Sequence, residues 1–356
     1  CSFGQTQEID FDLVYSEYPS LPDGVLEAVA WTNSHMVHLT TSEPSCTGIP
    51  QAYGIMGLYD NGQGYFIENG QYIAKLSGVG VEEQKLSAQI QIQAYGKAFS
   101  ELLSNESKTN QEEGKLKNVL EKLSQIPNSS RMNVFARDLQ VSEILYFMTS
   151  EEQAVIHDFE SQDYNLSSLY GTDNFSILTG KKVLFGKNGI SNEDGKKYTI
   201  SANKSIDYGP AIWDPAPPCN FSSRSGVAIS AITIHTVQGS YSGAISWAQN
   251  CASSVSYHYV IRSSDGQITQ LVQESDKGWH VGSENPYTIG YEHEGYVDDP
   301  SWYTEEMYTA SADLSRDVVN SGYGIPSLRT FYGVATSGTN LLGGCTKIKG
   351  HQHYPN

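Results

Sequence analysis

No stretch of this 356-residue chain holds the roughly 18–20 consecutive apolar residues that a helix needs to cross a bilayer, so no transmembrane helix is predicted. Basic residues are scarce: 22 Lys and Arg stand against 40 Asp and Glu, a formal net charge of −18. That leaves no surplus of positive charge for phosphates and argues against a nucleic-acid partner. No two cysteines are spaced as Cys-x-x-Cys, which argues against a structural zinc knuckle. Internal repeats and long low-complexity segments are also absent.

Five cysteines are present. Cys1 stands first, ahead of the polar stretch Ser2–Phe3–Gly4–Gln5–Thr6–Gln7–Glu8. This start resembles that of processed bacterial lipoproteins. The resemblance implies acyl chains on Cys1, a membrane tether, and an exported protein at the cell envelope, expected on the outer membrane facing the periplasm. Each buried CH₂ of such chains contributes about 0.8 kcal/mol, so several chains tether strongly. An export context permits disulfides. The other four cysteines, Cys46, Cys219, Cys251 and Cys345, allow three pairings that sequence alone does not separate. Cys219 with Cys251 is preferred because the two flank a strand that ends in a histidine.

Residues 21–103 read as mostly helical. Val25–Trp31 has apolar residues at helical spacing, with Pro22 suited to a first turn. A polar, Gly-rich loop containing Gln51–Leu58 follows, then a long amphipathic helix over Glu82–Leu103, a charged loop over Asn105–Gly114, and helices over Leu116–Leu123 and Val134–Met148. From Ser176 the texture changes. Gly, Lys, Asn and Asp dominate Lys187–Asn203, and Ala211–Pro218 is Pro-rich, which predicts a linker. Beyond Cys219 strands alternate with helices: strands over Val227–His235, Ser256–Arg262, Ile268–Val272 and Ile289–Gly295, and helices over Ser242–Asn250 and Thr304–Ser321. The expected organisation is multidomain: a tether over 1–9, a mainly α-helical domain over 10–177, a linker over 178–218, and an α/β domain with a central mixed sheet over 219–356.

The α/β half carries the chemistry. His235 ends its strand, Glu292 lies in Ile289–Gly–Tyr–Glu–His–Glu–Gly295, and His351 lies in Lys349–Gly–His–Gln–His353. A catalytic zinc takes three protein ligands and an open position, and a nearby base takes the proton of the attacking water. Glu292 and Glu294 are two apart, so both face one side of their strand and His293 the other.

From about Asp207 onward the chain resembles the zinc-dependent N-acetylmuramoyl-L-alanine amidases, which share a fold with the peptidoglycan recognition proteins and the phage amidase lysozymes. The stretches that carry the resemblance are Asp207–Trp213, Ile232–Tyr241, Ile245–Trp247, Val255–Ile261, Ser263–Gly266, Gly278–Gly282, Ile289–Gly295 and Lys349–His351. The resemblance implies Zn²⁺ as cofactor, peptidoglycan as substrate, His235 and His351 as zinc ligands, and Glu292 as the catalytic carboxylate. It places Tyr257 where phage relatives carry a catalytic tyrosine. Trp279 and His280 fit the segment that lines the substrate groove. His258 either lines that groove or is a hydrogen-bonded structural histidine. His353 is a second candidate ligand, with the Gly-His pairing favouring His351. Relatives with this ending continue to an Asp-Pro-Gly whose aspartate is the third ligand, so a truncated domain is expected. A peptidoglycan-binding lipoprotein without turnover, or an accessory subunit of an envelope assembly, is the alternative.

Residues 21–148 are similar, through Pro22–Ala30, Asn33–Ser34 and Ala52–Met56, to the lysozyme-like domain of soluble lytic transglycosylases. That family carries its acid catalyst as a glutamate where this chain has Asn33. An amide has no proton to give, so this domain is expected either to bind glycan through Trp31, Tyr53 and Tyr59 without cleaving it, or to be a helical spacer with a buried Tyr-Gly-Ile-Met loop.

Overall fold

A computed structural model describes residues 9–40, 45–60, 66–106, 111–128, 130–186, 189–199, 217–334, 336 and 338–355. Cys1, with its expected lipid, and the Asp207–Trp213 stretch lie outside the described residues. The chain divides into two compact units.

The first unit takes residues up to 42, 50–127 and 135–178. It is built from helices α1 (Phe11–Glu17), α2 (Val25–Ser34), α3 (Asn69–Ser77), α4 (Val81–Gln84), α5 (Ala88–Ser104), α6 (Glu112–Ser124), α7 (Arg131–Thr149), α8 (Glu151–His157), α9 (Leu166–Tyr170) and α10 (Thr172–Leu178). The single helix expected over Glu82–Leu103 is broken. Ser87 is extended and takes the N-cap position of α5, where serine is favoured over a helix interior. α2 is buried along nearly all its length and starts after Pro22, at a left-handed Gly24. A Cβ on Gly24 would come within 2.4 Å of the Phe159 ring, so this entry requires glycine.

Asn33 is buried and committed at both ends: Nδ2 donates to Met56 O (3.0 Å) and Oδ1 accepts from Gln140 Nε2 (2.8 Å). Tyr53 and Tyr59 are buried, and the Trp31 ring stacks on His35 with centroids 4.7 Å apart. The glycan-stacking role expected of Tyr53 and Tyr59 is therefore corrected. The core takes two of the rings and His35 covers a face of the third, which matches the alternative of a buried Tyr-Gly-Ile-Met loop.

The second unit takes 43–49, 128–134 and everything from Thr179. Its strands are β1 (Lys182–Gly186), β2 (Gly189–Asn192), β3 (Phe221–Ser223), β4 (Ala231–Thr236), β5 (Tyr259–Ile261), β6 (Ile268–Gln270), β7 (Asp276–Gly278), β8 (Thr288–His293) and β9 (Ile348–Gly350), with helices α11 (Tyr241–Ala248) and α12 (Glu305–Asn320). The described strands form a mixed sheet in the order β2-β1-β6-β5-β8-β4-β9, and β3 pairs with β7 separately. The segment expected to be a linker thus supplies β1 and β2. Its Gly, Lys and Asn residues mask a hairpin whose Val183 and Ile190 are buried.

One face of the sheet packs on α12. Thr304 caps that helix by accepting from Met307 N (3.2 Å), and Met307, Leu314 and Val318 face Ile232, Ile289, Tyr291 and Ile348. Cys219 and Cys251 form the preferred disulfide. At one end of the sheet β8, β4 and β9 run parallel.

Candidate functional site

Strand register assembles the site. His235 on β4 pairs with Glu292 on β8, and Ile234 pairs with Gly350, the last residue of β9. His351 follows Gly350, so two imidazoles and a carboxylate meet at the carboxyl ends of three parallel strands. Open α/β sheets present ligands at this end. His351 Nδ1 lies 3.0 Å from His235 Nδ1, and Glu292 Oε1 lies 3.8 Å from the same atom. Glu292 is fully buried, and among the described residues neither carboxylate oxygen has a hydrogen-bond partner. Burial pushes its pKa well above the ordinary carboxylate range.

A third donor arrives from far away in sequence. Cys46 Sγ lies 3.2 Å from His235 Nδ1, and Cys46, His235 and His351 offer donor atoms within 4.8 Å of one another. Burial first, then the Glu292 carboxylate, raise the thiol pKa well above its usual value. A tetrahedral zinc with Zn–N of about 2.0 Å and Zn–S of about 2.3 Å spaces its donors by roughly 3.3–3.6 Å. With separations of 3.0 and 3.2 Å to His235 Nδ1 and all donors within 4.8 Å of one another, the N, N, S set beside a buried carboxylate is near that range and fits zinc. Burial also depresses the pKa of His235 and of His351, keeping both imidazoles in the neutral form that a metal requires.

His280 backs His235 rather than facing the cleft: its Nδ1 lies 3.0 Å from His235 Nε2. With Nδ1 of His235 turned to the metal position, Nε2–H donates to His280. His280 Nε2–H then points to Thr288 Oγ1 (3.4 Å), which donates to Glu284 O (2.9 Å). Such a chain fixes the tautomer and orientation of a ligand. Gly290 makes room for it, since a Cβ there would come within 2.6 Å of the His280 ring.

The remaining expected residues divide clearly. Tyr257 is buried and donates its hydroxyl to Ala244 O, and burial first, then the nearby Glu292 and Cys46, push its pKa up. His258 is the structural histidine of the two alternatives: Nδ1 accepts from Gly290 N (3.0 Å), and Nε2 lies 2.8 Å from Arg224 Nη2 and 3.1 Å from Asp276 O. Trp279 is half-buried, with its indole N–H donated to Ser222 Oγ (3.1 Å). His353 donates to Asn340 O (2.7 Å), away from the metal position. Glu294, on the same side as Glu292, is satisfied by Tyr241 N (2.7 Å) and Ser263 N (2.8 Å). A cleft of about 440 Å³ opens beside the pair, lined by Cys46, His235, Val297, Phe331, His351 and Gln352 among others.

Residues 225–355 match the N-acetylmuramoyl-L-alanine amidase family. Over 146 residues, 41% of this chain and 81% of the relative, the sequence is 41% identical to N-acetylmuramoyl-L-alanine amidase A of Achromobacter lyticus. Among solved structures, the hydrolase AmiA of Staphylococcus aureus in complex with its ligand is 19% identical, with 37% of this chain covering 60% of that one at a TM-score of 0.28. The catalytic domain of XlyA is also 19% identical, with 40% of this chain covering 83% of that one at a TM-score of 0.27. On the curated relative and the matched domain, the chain belongs to the N-acetylmuramoyl-L-alanine amidase family.

Proposed function

We propose that this amidase is a zinc hydrolase that cleaves the bond between N-acetylmuramic acid and L-alanine in peptidoglycan, held at the cell envelope by a lipid on Cys1. The observation that carries the reading is Glu292, buried without a hydrogen-bond partner and in register with His235. His235, His351 and Cys46 would hold a zinc ion, which when bound would supply Lewis acidity toward the scissile carbonyl and acidify water.

The chain's own groups do the rest. Glu292 takes the proton of the attacking water and returns it to the departing amide nitrogen. Positive charge at the histidine pair favours its ionised form against the burial that otherwise neutralises it. His280 holds the His235 ring through the Nε2–Nδ1 bond. Trp279, half-buried, is retained as a groove residue.

The test is release of L-alanine amino groups from purified peptidoglycan, read together with metal content. His235→Ala should lose both zinc and cleavage, because two remaining donors rarely hold zinc in a catalytic geometry. Stoichiometric zinc in that variant refutes the ligand assignment. Absence of freed amines from the zinc-loaded protein would favour binding without turnover. Cys1→Ser should move the protein out of the membrane fraction, and an unchanged distribution would sink the tether.

A further inference from the structure

The cleft beside the histidine pair has a wall that the chemistry at Glu292 does not use. Cys46 is one part of the lining, on a segment fastened where the carbonyl of Thr47 accepts the indole N–H of Trp247 (2.8 Å). Phe331 is another part. Phe331 N donates to Ile348 O (2.9 Å) and Lys347 N donates to Arg329 O (2.7 Å), which lays residues 329–331 alongside β9. The Phe331 ring is half-buried and rests on the ring of His353, with centroids 4.3 Å apart. His353 is itself buried and donates to Asn340 O (2.7 Å). Gly333 leaves room for the Phe331 ring, since a Cβ there would come within 2.3 Å of its tip.

A flat aromatic ring held on the wall of a wet cleft suits a ligand with an apolar face and a polar rim. A pyranose ring is such a ligand: its axial C–H bonds meet the aromatic face and its hydroxyls stay in water. Neighbouring side chains suit the same ligand. Thr236, Gln238, Thr330 and Gln352 bring hydroxyls and amides, the groups that bond sugar hydroxyls and an N-acetyl group. Lys349 is the one Lys or Arg in the described lining, and its Nζ donates to Leu342 O (3.1 Å) above the Tyr354 ring. In a chain of net charge −18, a cleft with that amine turned aside disfavours the free carboxylates that a peptide carries. The muramyl side of the scissile amide carries none, because its carboxyl is the one that forms the amide.

We propose that Phe331, seated on His353, is the sugar platform of this amidase: the N-acetylmuramic acid ring packs on it while the scissile amide lies at His235 and His351. The inference rests on the zinc-hydrolase reading above and adds which part of the substrate the cleft selects. It also gives His353, in the Gly-His-Gln-His run, a task other than holding metal. A peptide docked on the same ring is the competing occupant, and the two make opposite predictions for a ligand without the sugar.

The test uses the full chain loaded with zinc and two soluble ligands that share the scissile bond. One is an N-acetylmuramoyl-L-alanyl peptide. The other is the same peptide carrying a lactyl group with no sugar, and its affinity is read as inhibition of cleavage of the first. Phe331→Ala should raise KM for the muramyl peptide about tenfold, with kcat and zinc content near wild type. The inhibition constant of the sugar-free peptide should not change. Phe331→Tyr should keep the wild-type KM, and Phe331→Leu, which has apolar bulk without a flat face, should not. Equal weakening of both ligands by Phe331→Ala assigns the ring to the peptide or to the shape of the cleft and overturns the inference. An unchanged KM in Phe331→Ala also overturns it. If Phe331→Ala folds poorly or loses zinc, the Tyr and Leu variants decide, and equal KM in those two overturns the inference. In each of these cases the zinc reading stands. Absence of cleavage by zinc-loaded wild type overturns the zinc-hydrolase reading and this inference with it.

Discussion

Glu292 and His235 sit directly across from each other on adjacent parallel strands, with Oε1 of the one 3.8 Å from Nδ1 of the other. Among the described residues neither oxygen of the carboxylate has a hydrogen-bond partner. A buried acidic group costs stability unless something compensates it, and here the compensation fits a cation and a reacting water. Glu292→Gln keeps the shape and removes the base. Zinc content should be unchanged, and amide cleavage should fall by about 10²–10⁴-fold, the usual contribution of a positioned general base. Near-wild-type release of L-alanine amines by this variant would sink the mechanism.

Glu294 provides the internal contrast. Its oxygens accept from Tyr241 N and Ser263 N, so it joins the start of α11 to the loop after β5. Glu294→Ala leaves two buried donors unpaired and should lower unfolding free energy by about 1–3 kcal/mol for each. Specific activity per folded, zinc-loaded molecule should stay near wild type. Denaturant titration beside the peptidoglycan assay separates the two effects. Loss of activity without loss of stability would transfer the base role from Glu292 to Glu294.

Gly290→Ala is expected to act on the metal without touching it. The new Cβ meets the His280 ring at 2.6 Å, and His280 is what fixes His235. Removing an outer partner of a ligand histidine typically costs about 10–100-fold in metal affinity. His280→Ala should fall in the same range. Chelator competition measures both, and zinc affinity unchanged in both variants would show that the His235–His280 bond has no role in holding metal.

His258 and His293 should each make the metal-free protein less stable as pH falls, opposed by Glu27 and Glu292, whose buried carboxyls are held above their ordinary range and favour the folded state in acid. Burial, then the neighbouring Arg224 guanidinium, lowers His258 to about 3, and burial lowers His293 to about 4. Both sit below the unfolded value of about 6.5, so the unfolded chain binds the extra protons. The stabilisation is complete above pH of about 6.5 and is lost progressively toward the folded values, by about 1.4 kcal/mol per pH unit for each histidine. Urea unfolding of the metal-free protein at a series of pH values between neutrality and pH 4 should show this slope. A pH slope left unchanged by His258→Asn and by His293→Asn would mean that neither histidine is held neutral in the folded state.

Much of the second unit was legible in the chain. The strand ending in His235, the capped helix from Thr304, and the Ile-Gly-Tyr-Glu run each have a local pattern, and the preferred one of the three cysteine pairings, Cys219–Cys251, is the one that forms. β1 and β2 were hidden because a two-stranded turn rich in Gly, Lys and Asn has the composition of a linker. Parallel register was not legible either, and register is what turns three separate motifs into one site. No local signal marked Cys46, which is 189 positions from His235 and has no metal-ligand spacing around it. The roles of His280 and His258 depended on which nitrogen meets which partner, and only three-dimensional geometry decides that.

The fastening of Thr47 to Trp247 has a practical meaning for anyone dissecting this chain. The unit that carries the chemistry is discontinuous: a short strap from the helical half of the sequence is sewn onto the surface of the hydrolase. A fragment trimmed to the matched stretch would keep both histidines and Glu292. It would leave the Trp247 indole without its acceptor, and the cleft without its sulfur. Behaviour measured on such a fragment would therefore describe an unstrapped enzyme, and comparison with the intact chain would isolate what the strap contributes.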